Sequence, residues 1–187
     1  MSYASSCRKT ALGAGSNETV TGPNNPGFSV PIGEARSRGV ELDMTGNLPA
    51  RIEFRLSYAY TDAEARSNVR DPNFSFVIEP GDPLINIPDH QLNIQALKRF
   101  QVVGKEVMSG AGLRYAGERL GATGTDFTLP DYTLFRVFGE VELTDNLTVF
   151  GSINNLFDTE WYASSYSQLW VQPGTPRALT AGVRASF

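Results

Sequence analysis

The chain has 187 residues, of which 41% are hydrophobic and 11% aromatic, and its 16 basic and 20 acidic residues give a net charge of −4. This balance, with no block of Lys or Arg, argues against a nucleic-acid-binding protein, and no run approaches the roughly 18 apolar residues of a transmembrane helix. The single cysteine, Cys7, excludes an internal disulfide and a cysteine metal site.

Polar and apolar residues alternate repeatedly over 27–187, whereas 1–26 lacks a clear pattern and is predicted to be irregular or a partial strand. In Arg51–Glu64 (RIEFRLSYAYTDAE) the alternation predicts a strand with one apolar and one partly charged face. It runs about twice as long as a typical globular strand of about five or six residues. The strands predicted in this way are a weak one within Thr19–Pro31, then Arg38–Gly46, Arg51–Glu64, Gln91–Lys98, Val107–Tyr115, Thr133–Leu143, Leu147–Phe157 and Pro176–Phe187.

The connections between these strands alternate between short and long. The short ones are Asn47–Pro49, Gln101–Glu106 and Thr144–Asn146, and the long ones are Ala65–Pro88, Gly121–Pro130 and Thr159–Thr175. This alternation predicts an antiparallel up-and-down meander with turns at one edge and loops at the other.

Long alternating strands with loops segregated by length are typical of a transmembrane β-barrel, in which each strand spans the bilayer. A soluble β-sandwich is the alternative interpretation. In the barrel, aromatic residues near the long-loop ends predict a girdle at headgroup level: Tyr58, Tyr60, Tyr115, Tyr132, Phe157 and Trp161. The polar face, which carries Arg55, Arg114, Glu140, Glu142 and Arg184, is expected to line the lumen.

No catalytic constellation is visible, so we expect no enzyme activity and no metal site. His90 is the only histidine, and it has no cysteine or second histidine to share a metal with. The acidic residues around Ala65–Pro88 do not have the spacing of a calcium loop. A solvated acidic loop is the favoured interpretation.

Short motifs resemble those of a known family. They are SRGVELD (Ser37–Asp43), YAYTDAE (Tyr58–Glu64), IPDH (Ile87–His90), LPDYTLF (Leu129–Phe135), NNLFDTEWY (Asn154–Tyr162) and GTPR (Gly174–Arg177), followed by the terminal Phe187. In this order and spacing, over about Gly27 to Phe187, they are similar to the TonB-dependent outer-membrane receptors, specifically the ferric-siderophore receptors.

The resemblance implies a C-terminal partial barrel of about seven or eight strands, cut from a barrel of about twenty-two. A plug, a TonB-binding segment and a signal peptide are not found in the chain, which suggests a C-terminal fragment or a truncated reading frame. Such a partial sheet is expected to aggregate without its missing strands. The implied location is the bacterial outer membrane.

The resemblance also implies partners and a site. The partners are a ferric siderophore, the TonB energy-coupling complex acting through the missing N-terminal part, the barrel-insertion machinery and the lipid bilayer. No covalently bound cofactor is expected. Phe187, Val183 and Leu179 are expected to form the assembly signal that the insertion machinery reads.

External aromatic residues are expected to stack on the chelate, which resembles the hydroxamate class best. The candidates are Tyr166, Trp170, Trp161, Tyr162, Phe74 and Phe76. For Trp161 and Tyr162, the lipid-facing girdle is the alternative.

Two other functions stay open at this point. The first is a small standalone eight-stranded outer-membrane barrel with a structural or adhesive role, which requires a real strand in the N-terminal segment. The second is a barrel-embedded lipase or protease, against which the missing Ser–His pairing counts.

Overall fold

The computed structural model describes residues 5–6, 16–22, 25–70 and 77–186, and these are mostly β-strand. A single turn of 3-10 helix, Pro49–Arg51, joins two long strands. None of the described residues belongs to a helix long and apolar enough to cross a membrane. The strands are β1 (Ser5–Ser6), β2 (Ser16–Gly22), β3 (Asn25–Leu48), β4 (Ile52–Ala65), β5 (Val69–Arg70), β6 (Val77–Ile78), β7 (His90–Val102), β8 (Lys105–Ala116), β9 (Arg119–Leu120), β10 (Thr128–Leu129), β11 (Tyr132–Thr144), β12 (Leu147–Asn154), β13 (Tyr162–Ser167), β14 (Trp170–Pro173) and β15 (Ala178–Ala185).

One antiparallel sheet contains all the long strands. Its order is β1-β3-β4-β7-β8-β11-β12-β15, with β2 also paired to β3. Each long strand from β3 onward therefore lies beside the next long strand in the chain. The predicted all-β, up-and-down arrangement is confirmed.

The two edges of the sheet differ as the sequence predicts. Turns at Pro49–Arg51, 103–104 and 145–146 join strands at one edge, and connections 66–89, 117–131 and 155–177 lie at the other. The long connections carry three small two-stranded sheets, β5–β6, β9–β10 and β13–β14. We call these two sides, at which the strands end, the turn edge and the loop edge; neither term refers to the outermost strands of the sheet.

The backbone register brings the apolar residues of neighbouring strands onto one face. One row of directly paired residues crosses five strands: Met44, Leu56, Ile94, Leu113 and Phe135. The sheet is a single layer, so this face stays partly accessible, with Ile94 37% and Leu179 76% exposed. A continuous exposed apolar face of this kind requires an apolar environment, which a bilayer supplies.

The opposite face of the sheet is polar and concave. A concavity on this side is lined by Arg55, Asn93, Gln95, Arg114, Arg136 and Asn154, among others. The registers place Arg55, Arg114, Glu140, Glu142 and Arg184 on this same face. Because a barrel wall curves around its lumen, the polar face is the lumen side.

Three phenylalanines lie over glycines on the adjacent strand. Phe54 pairs directly with Gly46, Phe138 with Gly110, and Phe150 with Gly182. A Cβ built on these glycines would lie 2.8, 2.4 and 2.5 Å from the nearest ring atom. Phe150 interrupts the polar pattern in the sequence, and the bare backbone opposite it explains why its ring is accommodated.

Several predicted details differ in the structure. Strand β12 ends at Asn154 rather than Phe157, because Asn155 adopts a φ of 51° and begins a loop. Tyr132 does not join a lipid-facing girdle: it pairs with Ala116, which pairs with Gln91, and so lies on the polar face. The expected girdle residues Tyr58 and Tyr115, which both pair with Leu92, lie on the apolar face.

The described part of segment 1–26 contributes short strands that pair with β3, on the side of the sheet farthest from β15. Strand β2 pairs with the first half of β3, and β1 pairs near its end at Met44 and Asp43. Strand β3 thus begins at Asn25, earlier than the predicted Arg38. The division of the chain at residue 26 stays a prediction.

We expect Ile94→Arg to impair assembly, because it places a cation on the lipid face of a central strand. The cost of a cation at the bilayer midplane is about 2–4 kcal/mol. The measurement is the fraction of heat-modifiable, folded barrel in outer membranes from cells producing the protein. The matched control is Leu97→Arg, on the same strand but on the polar face opposite Glu53. Equal impairment by both substitutions would contradict the assignment of faces.

Candidate functional site

The loop edge contains nearly all of the side chains that are buried in the described residues. They are Ala35, Ala63, Ala65, Ile78, Ala116, Arg119, Ala122, Leu129, Tyr132, Asn155 and Ser165. The long connections therefore pack on each other and on the strand ends, while the body of the sheet has no second layer. Any site that the chain builds by packing lies here.

Arg119 is the buried cation of this cluster, at 5% exposure. Its Nη2 donates to the carbonyl oxygen of Tyr162, and also to that of Ala163 at 3.4 Å. Its guanidinium carbon lies 5.5 Å from the centroid of the Tyr132 ring. Arg119 thus connects β9 to the start of β13 through two successive backbone carbonyls.

Burial lowers the pKa of Arg119 below its ordinary value, and the nearby positive charge of Arg114 acts in the same direction. An arginine nonetheless keeps its charge at physiological pH. Its Nη1 atom has no hydrogen-bond partner among the described residues. The Tyr132 ring face therefore supplies part of the stabilisation that a carboxylate would otherwise give.

Asn86 joins the three long connections. Its backbone N–H donates to the carbonyl of Leu120 at 2.9 Å. Its side-chain amide donates to the carbonyl of Ser165 at 2.7 Å and accepts from the Ser165 N–H at 2.8 Å. The Ser165 hydroxyl donates in turn to the carbonyl of Gly121. One asparagine therefore holds 66–89 against both 117–131 and 155–177.

Trp161 packs inward rather than toward lipid. Its ring centroid lies 4.6 Å from that of Tyr132, and its Nε1 donates to the carbonyl of Thr175 at 3.1 Å. A Cβ on Gly174 would lie 2.0 Å from the Trp161 ring, so only glycine fits there. Because Tyr132 lies on the polar face, Trp161 belongs to the loop cluster, and its predicted girdle role is not supported.

The motif NNLFDTEWY forms the anchor of the last long connection. Asn155 is 5% exposed; its side chain accepts from Thr159 N–H at 2.9 Å and donates to the Thr159 carbonyl at 2.9 Å. Asp158 accepts from the backbone N–H of Arg177 at 2.8 Å, which ties the motif to GTPR. These bonds explain why both motifs carry those residue types.

The hairpin of β13 and β14 presents its aromatic residues outward from this anchored base. Tyr166 is 64% exposed, Leu169 91% and Trp170 74%. All three line one pocket together with Asn86 and Ser165. The structure therefore brings Tyr166 and Trp170 together at one surface, which we call the hairpin tip (Tyr166, Leu169 and Trp170).

The remaining predicted site residues lie elsewhere. Tyr162 is 39% exposed at the base of the hairpin, on the backbone that Arg119 binds. Phe74 and Phe76 lie outside the described residues. The predicted assembly signal is part of β15, where Leu179 and Val183 are 76% and 63% exposed, while Phe187 also lies outside the described residues.

His90 has an aromatic environment on the apolar face. Its Nδ1 lies 2.8 Å from the hydroxyl oxygen of Tyr58, and its ring centroid lies 5.2 Å from that of Tyr60. Within the described ranges, no group of three or more His, Cys, Asp or Glu side chains could hold a metal ion. His90 therefore has a packing role at the loop edge.

Sequence reasoning did not identify Asn86, Arg119 or Ser165. The sequence marks Asn86 as unusual, since this polar residue stands between Ile85 and Ile87. In the structure it adopts a positive φ of 61°. Asparagine favours that conformation. The sequence does not mark Arg119, because its acceptors are backbone carbonyls that lie 43 and 44 residues away in the chain.

Comparisons with known proteins show which proteins the chain and its fold resemble. The sequence profile of the family described as "TonB dependent receptor-like, beta-barrel" matches residues 13–156. The metal-pseudopaline receptor of Pseudomonas aeruginosa is 35% identical over 91% of this chain and 23% of its own length. The ferrichrome outer membrane transporter/phage receptor of Escherichia coli K12 is 29% identical over 91% of this chain and 22% of its own length.

A solved structure shares the fold. The siderophore receptor PiuA of Acinetobacter baumannii superposes with a TM-score of 0.73 at 20% identity, over 90% of this chain and 24% of that one. The chain therefore spans about a quarter of the length of the proteins that it matches.

We expect Asn86→Gly to loosen the β13–β14 hairpin, because it removes both bonds to Ser165 while glycine tolerates the positive φ. Leaving the buried Ser165 backbone groups unsatisfied costs about 1–3 kcal/mol. Hydrogen exchange of the amides in 162–173 measures the effect and should become faster. Asn146→Gly is the control, since its amide bonds the Ser186 carbonyl at the turn edge. Unchanged protection in Asn86→Gly would show that other contacts hold the hairpin.

Proposed function

Because the chain belongs to the TonB-dependent receptor β-barrel family, we propose that it forms part of a receptor that imports a metal bound to a small organic chelator. The chain is an outer-membrane protein of a family of receptors and transporters rather than enzymes. In this proposal, the hairpin tip contacts the chelate outside the membrane. Energy relayed through TonB then drives its passage into the cell.

The observation that carries the proposal is the exposed aromatic tip on an anchored base. Exposed aromatic side chains generally mark contact surfaces. Trp170, at 74% exposure, offers a flat apolar surface of the kind that stacks on a planar or apolar chelate. The bonds of Asn86 and Arg119 to the base lower the entropy that the hairpin loses on binding.

The relatives suggest two candidate chelators. The sequence resemblance favours the hydroxamate class, and the 29% identity to a ferrichrome transporter makes ferrichrome one candidate. The higher identity, 35%, to a metal-pseudopaline receptor makes a metal–pseudopaline complex the other candidate.

Phe187, Val183 and Leu179 keep their proposed role as the assembly signal for the barrel-insertion machinery. Val183 and Leu179 support it, because both lie on the exposed apolar face of the last strand. A small standalone barrel is less well supported, because among the described strands β15 pairs only with β12, so the described sheet does not close on itself.

Uptake by cells tests the proposed function. Cells that lack their own receptors, producing the receptor that contains this chain, are supplied with radiolabelled ferric ferrichrome or metal–pseudopaline. We expect saturable uptake of one of the two complexes, abolished when TonB is absent. Uptake that persists without TonB, or no uptake of either complex, would refute the respective part of the proposal.

We expect Trp170→Ala and Tyr166→Ala to weaken binding of the chelate at the hairpin tip. The half-saturation concentration should rise about tenfold, as expected for the loss of roughly 1–2 kcal/mol at an aromatic contact, while the maximal uptake rate stays unchanged. Phe157→Ala is the control, because Phe157 is 67% exposed but contacts Phe135 on the apolar face. A changed maximal rate without a changed half-saturation concentration would assign the tip a different role.

A further inference from the structure

Two lysines lie on the apolar face of the hairpin formed by β7 and β8, close to its turn. Lys98 pairs directly with Ile52, and Lys105 pairs with Val102. Phe100 stands between the two lysines on the same face. Phe100 is 38% exposed and Val102 is 48% exposed. We call Lys98, Phe100, Val102 and Lys105 the lysine site.

The apolar face carries no carboxylate at this end, among the residues that the structure describes. From the level of Lys98 to the turns, its other members are Leu48, Ile52, Val107, Ser109, Gly139, Val141, Leu143, Leu147, Val149, Gly151, Ala181, Val183 and Ala185. At the loop edge, by contrast, the same face carries charges of both signs in two ion pairs: Arg38–Asp62 and Arg36–Glu64. The two lysines therefore give the turn edge of this face a positive charge of its own.

The rest of a barrel does not cover this surface. Strands β7 and β8 are central, because β4 and β11 flank them within the described sheet. Further strands of a closed barrel would join beyond β3 and β15, and a plug would fill the concave polar side. Neither reaches the apolar face of β7 and β8. The surroundings of the lysine site are therefore set by this chain and by the membrane.

The lysine site lies at the inner boundary of the membrane. Outer-membrane barrels have short turns on the periplasmic side, so the turn edge faces the periplasm. His90, whose Nδ1 lies 2.8 Å from the Tyr58 hydroxyl oxygen, marks the outer boundary on β7. A strand tilted by about 45° places Lys98 roughly 19 Å below His90, and Val102 with its partner Lys105 roughly 28 Å below it. The apolar band of such barrels is about 25 Å tall, so its lower boundary passes between the two lysines.

Lys105 is held in place by the neighbouring hairpin. Its Nζ donates to the carbonyl oxygen of Leu143 at 2.6 Å. This carbonyl lies where the pairing of β11 and β12 is irregular, between Glu142 and Thr144. An ammonium group has three donors, so Lys105 keeps donors for an anionic group. Because the cation is already positioned, less side-chain entropy is lost when such a group binds.

We propose that the lysine site binds the phosphate of an anionic phospholipid in the inner leaflet of the outer membrane, while Phe100 and Val102 contact its acyl chains. A lysine ammonium binds phosphate as a compact point charge. The flexible stem of Lys98 follows apolar surface and brings its charge to the boundary. Each lysine near an anionic lipid surface strengthens binding by about fivefold. The inference goes beyond the proposed import function and does not depend on the cargo.

Native mass spectrometry of the purified, intact receptor tests the site, because it counts the phospholipid molecules that stay bound. The receptor in detergent is incubated with equal concentrations of phosphatidylglycerol, which is anionic, and phosphatidylethanolamine, which is zwitterionic. We expect the parent to retain phosphatidylglycerol in preference. The double variant Lys98→Gln/Lys105→Gln should retain one phosphatidylglycerol fewer, with about 25-fold weaker binding of that molecule. Glutamine at position 105 still offers a donor to the Leu143 carbonyl, so the change removes charge and keeps a donor there.

Arg99→Gln is the matched control for the lysine substitutions. Arg99 follows Lys98 on β7 but lies on the polar face, where it contacts Glu53 at 2.8 Å. We expect this variant to retain as much phosphatidylglycerol as the parent. Heat modifiability confirms that each variant is folded.

The outcomes separate the lysine site from the proposed function. Equal retention of the two lipids by the parent, or an unchanged number of phosphatidylglycerol molecules on the double variant, overturns the site. An equal loss in Arg99→Gln also overturns it, and so does a dimeric receptor without phosphatidylglycerol, since a second copy would then cover this face. Selective retention by a receptor that imports neither chelate refutes the proposed function and leaves the lysine site standing.

Discussion

The structure depends on one constraint, the uninterrupted backbone pairing of a single-layer sheet. In such a sheet, side chains alternate between the two faces, so an even or odd position along the strand decides which face a side chain occupies. Met44, Leu56 and Ile94 therefore stand in one row because their backbones pair, without a second layer to select them. The apolar face that results is stable only against hydrocarbon, and the polar face only against water or protein.

The loop edge solves a different problem, which is to order three long connections without a large apolar core. Hydrogen bonds replace much of the packing there. Asn86 binds Ser165, and Arg119 donates to the carbonyl oxygens of Tyr162 and Ala163. A buried bond of this kind is directional, so it fixes the position of a hairpin more sharply than apolar contact does. The exposed tip at Trp170 can therefore be both rigid and accessible.

The fold could be predicted from the sequence because parity and loop length are local properties. In Arg51–Glu64, the alternation predicts a strand with one apolar and one polar face, and the length of the alternation predicts that the strand spans the membrane. The site could be predicted only in part, since Trp170 and Tyr166 are visible as exposed aromatics but their support is not. Asn86 and Arg119 act through partners that are distant in the chain, and no local pattern encodes those partners. Tyr132 shows the same limit: its position near a strand end suggested the girdle, but its parity placed it inside.

The phenylalanine–glycine pairs address an error that alternation cannot detect. A strand that slips by one residue turns its apolar side chains to the wrong face, but a slip of two residues restores every face. Such a slip would place Met44 or Leu48 under Phe54 instead of Gly46, and Thr180 or Arg184 under Phe150 instead of Gly182. Each ring then meets a side chain where the correct alignment offers bare backbone. The glycines therefore favour the native register of neighbouring strands over a register shifted by two residues.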